Sequence, residues 1–167
     1  YGALAGLWPV ASIVIAAIFL YKLTVKTGKF EIIKDSITNI TSDKRVQVLL
    51  IAYCFGAFLE RGAGFGAPVA ITAIILIGLG FEPIKAAGLC LIANIAGGSF
   101  GAMGIPVTTP AALTGIDALV VASQTSYVIP IISFVVAFLL VFIVDGFRGI
   151  RETLPSILIC GGTFALV

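Results

Sequence analysis

Leu59-Glu60-Arg61-Gly62-Ala63-Gly64-Phe65-Gly66-Ala67-Pro68 decides how the rest of the chain is read. An acid and a base stand directly before three alternating glycines and a proline, with uncharged apolar runs on both sides. Upstream, Val46–Leu59 carries no charge; downstream, none occurs from Gly62 to Phe81. Closely spaced glycines disfavour helix, and Pro68 suits the first turn of a new one. At about 1.5 Å per residue, Val46–Leu59 is about 21 Å long as a helix. That falls short of the ~30 Å hydrocarbon core of a bilayer, and the next helix, Pro68–Leu79, is shorter still. Residues 46–80 therefore read as a re-entrant helical hairpin with its tip at Glu60–Ala67. Two full crossings would leave Glu82 and Lys85 on the same side, so length alone separates the readings, and it favours the hairpin.

Composition explains why a bilayer is invoked. The 167 residues are 60% hydrophobic and 11% charged, with a mean hydropathy of +1.20. A soluble domain carries about 25% charged residues. The charges are also segregated: none occurs from Tyr1 to Tyr21, from Ala86 to Ile116 or from Ala118 to Val144. The fold class is an all-α polytopic membrane protein, with transmembrane helices, the hairpin and one unwound, discontinuous helix.

Working outward, residues 1–21 read as a transmembrane helix with Trp8 and Tyr21 as interface anchors. Lys22, Lys26, Lys29, Lys34, Lys44 and Arg45 are six of the ten basic residues. They make 22–45 a cytoplasmic loop by the positive-inside rule. Within it, Phe30, Ile33, Ile37 and Ile40 fall at helical spacing, the pattern of an interfacial amphipathic helix; a solvated connector is the alternative. Gly80-Phe81-Glu82-Pro83 is a turn. Residues 83–115 then form a discontinuous transmembrane helix, unwound at Gly97–Pro110, where four glycines and two prolines fall. Thr109 as N-cap and Pro110 at the first helical position restart it. Ile116–Ser126 is the outer connection, 127–144 a transmembrane helix, and Asp145–Thr153 cytoplasmic. Residues 155–167 begin a transmembrane helix that stops short of a full span. Tyr1 lacks the basic leader of a signal peptide, so the chain is expected to be an internal piece of a larger transporter.

The two interruptions carry the chemistry. Discontinuous helices near the midplane are how many secondary transporters build a site. A half-helix N-terminus offers unpaired N–H groups and about half a positive charge to an anion. The helices starting at Pro68 and Pro110 could hold a carboxylate between them, with Gly64 and Gly66 lending backbone groups. Arg61 has the planar fork for a carboxylate. A carboxyl taken out of water is costly as an anion, so Glu60 is the candidate to carry a coupled proton. The alternative is a tip that reaches water on the far side, with both groups solvated. Asn94, Ser99 and Thr108 are candidate hydrogen-bond partners for a hydroxy acid, or else helix caps and helix–helix contacts. Thr109 reads as a cap, and Asp117 as a cap or surface charge.

Several classes are set aside. A net charge of +2 without a polybasic tract gives no sign of nucleic acid. The chain has no His and no nucleophile–base pair, so no enzyme, metal or cofactor is expected. Cys54, Cys90 and Cys160 lie in apolar runs and read as small core residues. The Gly62-x-Gly64-x-Gly66 series lacks the strand and spacing of a dinucleotide loop. Gly97-x-x-x-Gly101 matches a helix-dimerisation motif, but flanking glycine and proline argue against a continuous helix.

Arg61–Ile71, Leu79–Ala87 and Phe100–Thr108, in this order and spacing, resemble the lactate permease family. The resemblance is clearest over Leu59–Pro110. It implies a proton-coupled carrier of lactate, glycolate or a related small 2-hydroxy monocarboxylate in the bacterial inner membrane. Its partners would be substrate, proton, bilayer and the remainder of a chain several times longer. Two positions depart from the family pattern: Ala67 stands where members often have Thr, and Asn94-Ile95-Ala96-Gly97 where they often read Asn-Thr-Ala-Pro. A sodium-coupled carrier of a dicarboxylate suits short hairpins equally, and a non-transporting subunit or channel is the third reading.

Overall fold

The computed structural model describes residues 8, 11–12, 15–16, 19, 22–62, 64, 66–98 and 101–165. The first expected span, 1–21, falls largely outside them, as does Ser99. The described residues are helical, and no strand occurs among them. Helix α1 covers Lys29–Ile40, and Phe30 on it reaches the core. Helix α2 spans Lys44–Val48, with the Asp43 side chain accepting from the Arg45 N–H as its N-cap. A π-helical stretch, Leu49–Phe55, continues without interruption into α3, Gly56–Gly62. Then come α4, Ala67–Gly78; α5, Pro83–Gly98; α6, Gly101–Thr114; and α7, Ala118–Ala165.

Lengths set what each element can do. Helices α4, α5 and α6 have 12, 16 and 14 residues, or about 18, 24 and 21 Å. Helix α7 is the one described helix long and apolar enough to cross a membrane. It is kinked where Asp145 and Gly146 leave helical geometry, Gly146 at φ 63° and ψ −153°.

Helix α5 sits at the centre, packed on α3, α4, α6, α7 and the π-helical stretch. Its buried positions are mostly small: Ala86, Cys90, Ala93, Ala96 and Gly97, with Leu89. Inside a bilayer, close backbone approach through small residues replaces the hydrophobic drive that assembles soluble cores. At Gly97 a Cβ would lie 3.1 Å from the Ala57 Cα. The Gly97–Gly101 pair thus marks a close helix contact, although its two glycines belong to successive helices. The π-helical stretch turns Tyr53 fully inward. Its hydroxyl donates to the Ser133 carbonyl at 2.9 Å, and its ring meets Phe164 edge-on at 4.8 Å. The Ser133 hydroxyl reaches the Ala96 carbonyl, in the last turn of α5, at 3.4 Å. Such last-turn carbonyls lack helical partners.

Charged groups gather at one end of the bundle. The Arg45 guanidinium, only 17% exposed, pairs with Asp43 at 2.7 Å, Asp145 at 2.9 Å and Glu152 at 2.6 Å. Lys44 donates to the Gly80 carbonyl at 3.2 Å and lies over the Phe81 ring at 5.2 Å. The start of α2, the α4–α5 turn and the α7 kink therefore share one face.

Three expectations are corrected. Helix continues through Glu60 and Arg61 to Gly62, past the expected end at Leu59. Gly101–Thr114 is helical, with Pro106 and Pro110 inside it; Thr109 is neither a cap nor a restart. Propensity for helix in water misleads here. Away from water the backbone must pair internally, so Gly and Pro are tolerated where neighbours and Thr hydroxyls take up freed groups. The Thr108 hydroxyl donates back to the Gly104 carbonyl at 3.3 Å and the Ile105 carbonyl at 3.4 Å. Gly104 meets the local distortion with φ 84°. The connection after α6 is only Gly115–Asp117, and Asp117 caps α7 by accepting from the Leu119 N–H at 2.7 Å. Past the kink the chain returns to helix.

Candidate functional site

The end of α3, the start of α4, the last turns of α5 and most of α6 border an open cleft of about 540 Å³. Glu60, Gly66, Asn94, Gly98 and Gly101 line it from one side of the α5–α6 junction, with Ile105, Pro106, Thr109 and Pro110 along α6. Glu60 stands on the last turn of α3 and is 4% exposed. Its Oε2 has no hydrogen-bond partner. A buried polar atom left unpaired costs about 1–3 kcal/mol, more when charged. The residue that carries it borders the cleft.

Two glycines hold Glu60 in place. A Cβ on Gly101 would come within 3.1 Å of Glu60 Oε1 and 3.3 Å of its Cγ. One on Gly97 would lie 3.4 Å from the Glu60 Cβ. The side chain therefore lies in a groove that only glycine leaves open. Gly66 is the N-cap of α4, at φ 75°, a conformation that favours glycine. Its position turns the amide end of α4, with Pro68 in the first turn, toward the cleft. Such an end offers N–H donors and partial positive charge. Glu60 lies roughly 20 Å along the helical run from Arg45.

The sequence candidates separate. Glu60, Gly66 and Asn94 meet in the cleft; Arg61, Gly64 and Thr108 do not line it. Neighbours on a helix are turned by about 100° from each other. Arg61 accordingly faces away, 5.8 Å over the Phe164 ring, in a separate hollow of about 170 Å³ with Phe58 and Thr163. Its Nε is buried and unpartnered. Gly64 is buried at φ 64° in the connection between α3 and α4. Thr108 is exposed and turned back on its own helix. Ser99 lies outside the described residues. Gly98 and Gly101 are members that the sequence reading missed, and Thr109 is one that it read as a cap. Pro110 made Thr109 look like a cap, while the glycine spacing was a usable signal for close approach. No group of three metal-ligating side chains occurs among the described residues.

Apolar helices, one of them long enough to cross a bilayer, with a buried acid bordering an open cleft, are those of a polytopic helical membrane protein. Its sequence matches the family model of L-lactate permease over residues 1–167, and the chain belongs to that family. It is 54% identical over 166 residues to the L-lactate permease of Escherichia coli (strain K12), and 53% identical to the glycolate permease of the same organism. The L-lactate permease of Bacillus subtilis (strain 168) is 51% identical. Each alignment covers 99% of this chain. The chain spans about 30% of the length of the two Escherichia coli relatives. No solved structure matches.

Proposed function

We propose that this chain is one part of a secondary transporter that carries lactate, glycolate or a like 2-hydroxy monocarboxylate together with a proton. The observation that carries the reading is Glu60: buried, unpaired at Oε2, and facing a cleft at the junction of interrupted helices. In this reading the substrate carboxylate sits at the amide end of α4 and Glu60 takes up and releases the coupled proton. A carboxylate substrate and a charged Glu60 would repel each other in a site shielded from water. Protonation of Glu60 removes that repulsion, which is the physical link between proton and substrate. The names of the relatives, L-lactate permease and glycolate permease, support the substrate class.

The membrane placement follows the charges. Arg45, Asp145, Arg148, Arg151 and Glu152 gather beside the α4–α5 turn, and the excess of basic residues in 22–45 assigns that face to the cytoplasm of the inner membrane. With Arg45 at this interface, Glu60 lies well inside the ~30 Å hydrocarbon layer. Residues 46–80 then enter and return to the cytoplasmic face as a hairpin.

The test is uptake of radiolabelled L-lactate by the full-length permease in proteoliposomes. An inward proton gradient is expected to drive accumulation, and a sodium gradient alone is not. Accumulation that follows sodium and ignores the proton gradient would replace the proposed coupling; absence of any hydroxy-acid uptake would remove the transport reading.

A further inference from the structure

Thr109 departs from the other threonines of α4, α6 and α7. Thr72, Thr108, Thr114, Thr125, Thr153 and Thr163 each donate to a carbonyl one turn back. That is the usual way for a hydroxyl to be satisfied away from water. The Thr109 hydroxyl makes no such bond. The carbonyl that it would use, that of Ile105, already takes the Thr108 hydroxyl at 3.4 Å. Thr109, exposed like Thr108, lines the open cleft instead. The Asn94 amide lines the same cleft, and it too forms no hydrogen bond among the described residues. With Glu60 Oε2, each of the three polar side chains on the cleft wall has hydrogen-bonding capacity left unused within the protein.

Their chemistry differs. A carboxyl and a helix amide end suit a proton and an anion. A hydroxyl, which both donates and accepts, and a carboxamide with two N–H donors and a carbonyl acceptor suit a neutral alcohol. An alcohol needs one acceptor for its proton and one donor for its lone pairs, and Thr109 with Asn94 supplies both. We infer that Thr109 and Asn94 recognise the 2-hydroxyl of the substrate, and so set the preference for hydroxy acids over plain carboxylic acids of the same size. This rests on the transport reading above and adds specificity determinants to it. A site built to pair a hydroxyl rejects the analogue without one, because its own polar groups are then left unpaired.

The experiment compares L-lactate with propionate, the same three-carbon acid without the hydroxyl, using the full-length permease in proteoliposomes. Thr109→Val keeps the shape and removes the hydroxyl; Thr109→Ser restores it. Thr109→Ala serves in place of the valine variant should that protein fail to assemble. Thr109→Val is expected to raise the KM for lactate roughly three- to tenfold, the equivalent of one neutral hydrogen bond. Inhibition by propionate should stay where it was, and Thr109→Ser should return lactate to near the wild-type value. An unchanged lactate KM, or equal weakening of lactate and propionate, overturns the inference while the transport reading stands. A wild-type protein that carries no hydroxy acid removes the transport reading itself, and is seen before any variant is made.

Discussion

At the residue scale, Glu60 depends on its neighbours for its place. Gly101 leaves the room that its carboxyl occupies. A Cβ there would also lie 3.3 Å from the Glu60 carbonyl oxygen, so Gly101→Ala is expected to lower the melting temperature modestly and to lower lactate uptake by displacing that carboxyl. Uptake and melting temperature measured on the same preparation check both halves. Gly97 faces backbone instead, with the Ala57 Cα at 3.1 Å from a built Cβ. Gly97→Val should therefore destabilise by about 1–3 kcal/mol, the usual penalty of overpacking, visible as a lowered melting temperature. Tyr53 gives a milder case. Tyr53→Phe keeps the ring on Phe164 and loses the bond to Ser133, about 0.5–1.5 kcal/mol. Arg61 shows where residue-level reading from sequence ended. Its fork fits a carboxylate, but the turn of the helix that brings Glu60 to the cleft takes Arg61 onto Phe164. Only knowledge that α3 runs through to Gly62 gives that direction.

At the element scale, the interruptions were legible and their extents were not. Pro68 after three alternating glycines marks the start of α4, and the structure begins that helix at Ala67. The Gly97–Pro110 stretch carries the same composition signal, yet Gly101–Thr114 is helical. The difference is solvent: propensities weigh helix against a hydrated coil, an alternative that a membrane interior does not offer. The π-helical stretch has no composition signal, since its residues, Leu49–Phe55, are ordinary helix formers. The kink of α7 does carry one. Gly146 adopts φ 63° and ψ −153°, a region open to glycine alone, so Gly146→Ala should cost about 1–3 kcal/mol. The Arg45 cluster ties this kink to the start of α2 and gives it a pH dependence. Arg45 holds the Asp43 carboxyl below its ordinary value of 3.8. Arg148, and then Arg45, hold that of Glu152 below its ordinary 4.5. Carboxyls depressed by folding stabilise the fold fully above those ordinary values and lose that contribution as pH falls through the depressed ones. Thermal stability in detergent should therefore drop on acidification below about pH 4.5, and Arg45→Ala should flatten that drop while lowering stability at neutral pH.

At the scale of the whole molecule, charge is sorted to one face and the cleft lies away from it. Arg45, Lys44 and the α4–α5 turn anchor one end, while Glu60 lies near the other end of the same helical run. That sorting was readable in the sequence as uncharged runs separated by basic segments. The meeting of Glu60, Asn94 and Thr109 was not, because it depends on how the ends of α3, α4, α5 and α6 pack around one point. The proposed coupling makes one sharp demand on this arrangement. Net proton-driven accumulation requires Glu60 to gain and lose its proton, whereas exchange of internal for external lactate requires only that the loaded site face each side in turn. The measurement is therefore both modes of lactate transport by the full-length permease in proteoliposomes, for wild type and Glu60→Gln. The account predicts that Glu60→Gln, which is permanently neutral, abolishes accumulation driven by a proton gradient and retains lactate exchange. Proton-driven accumulation by Glu60→Gln at the wild-type rate would contradict it.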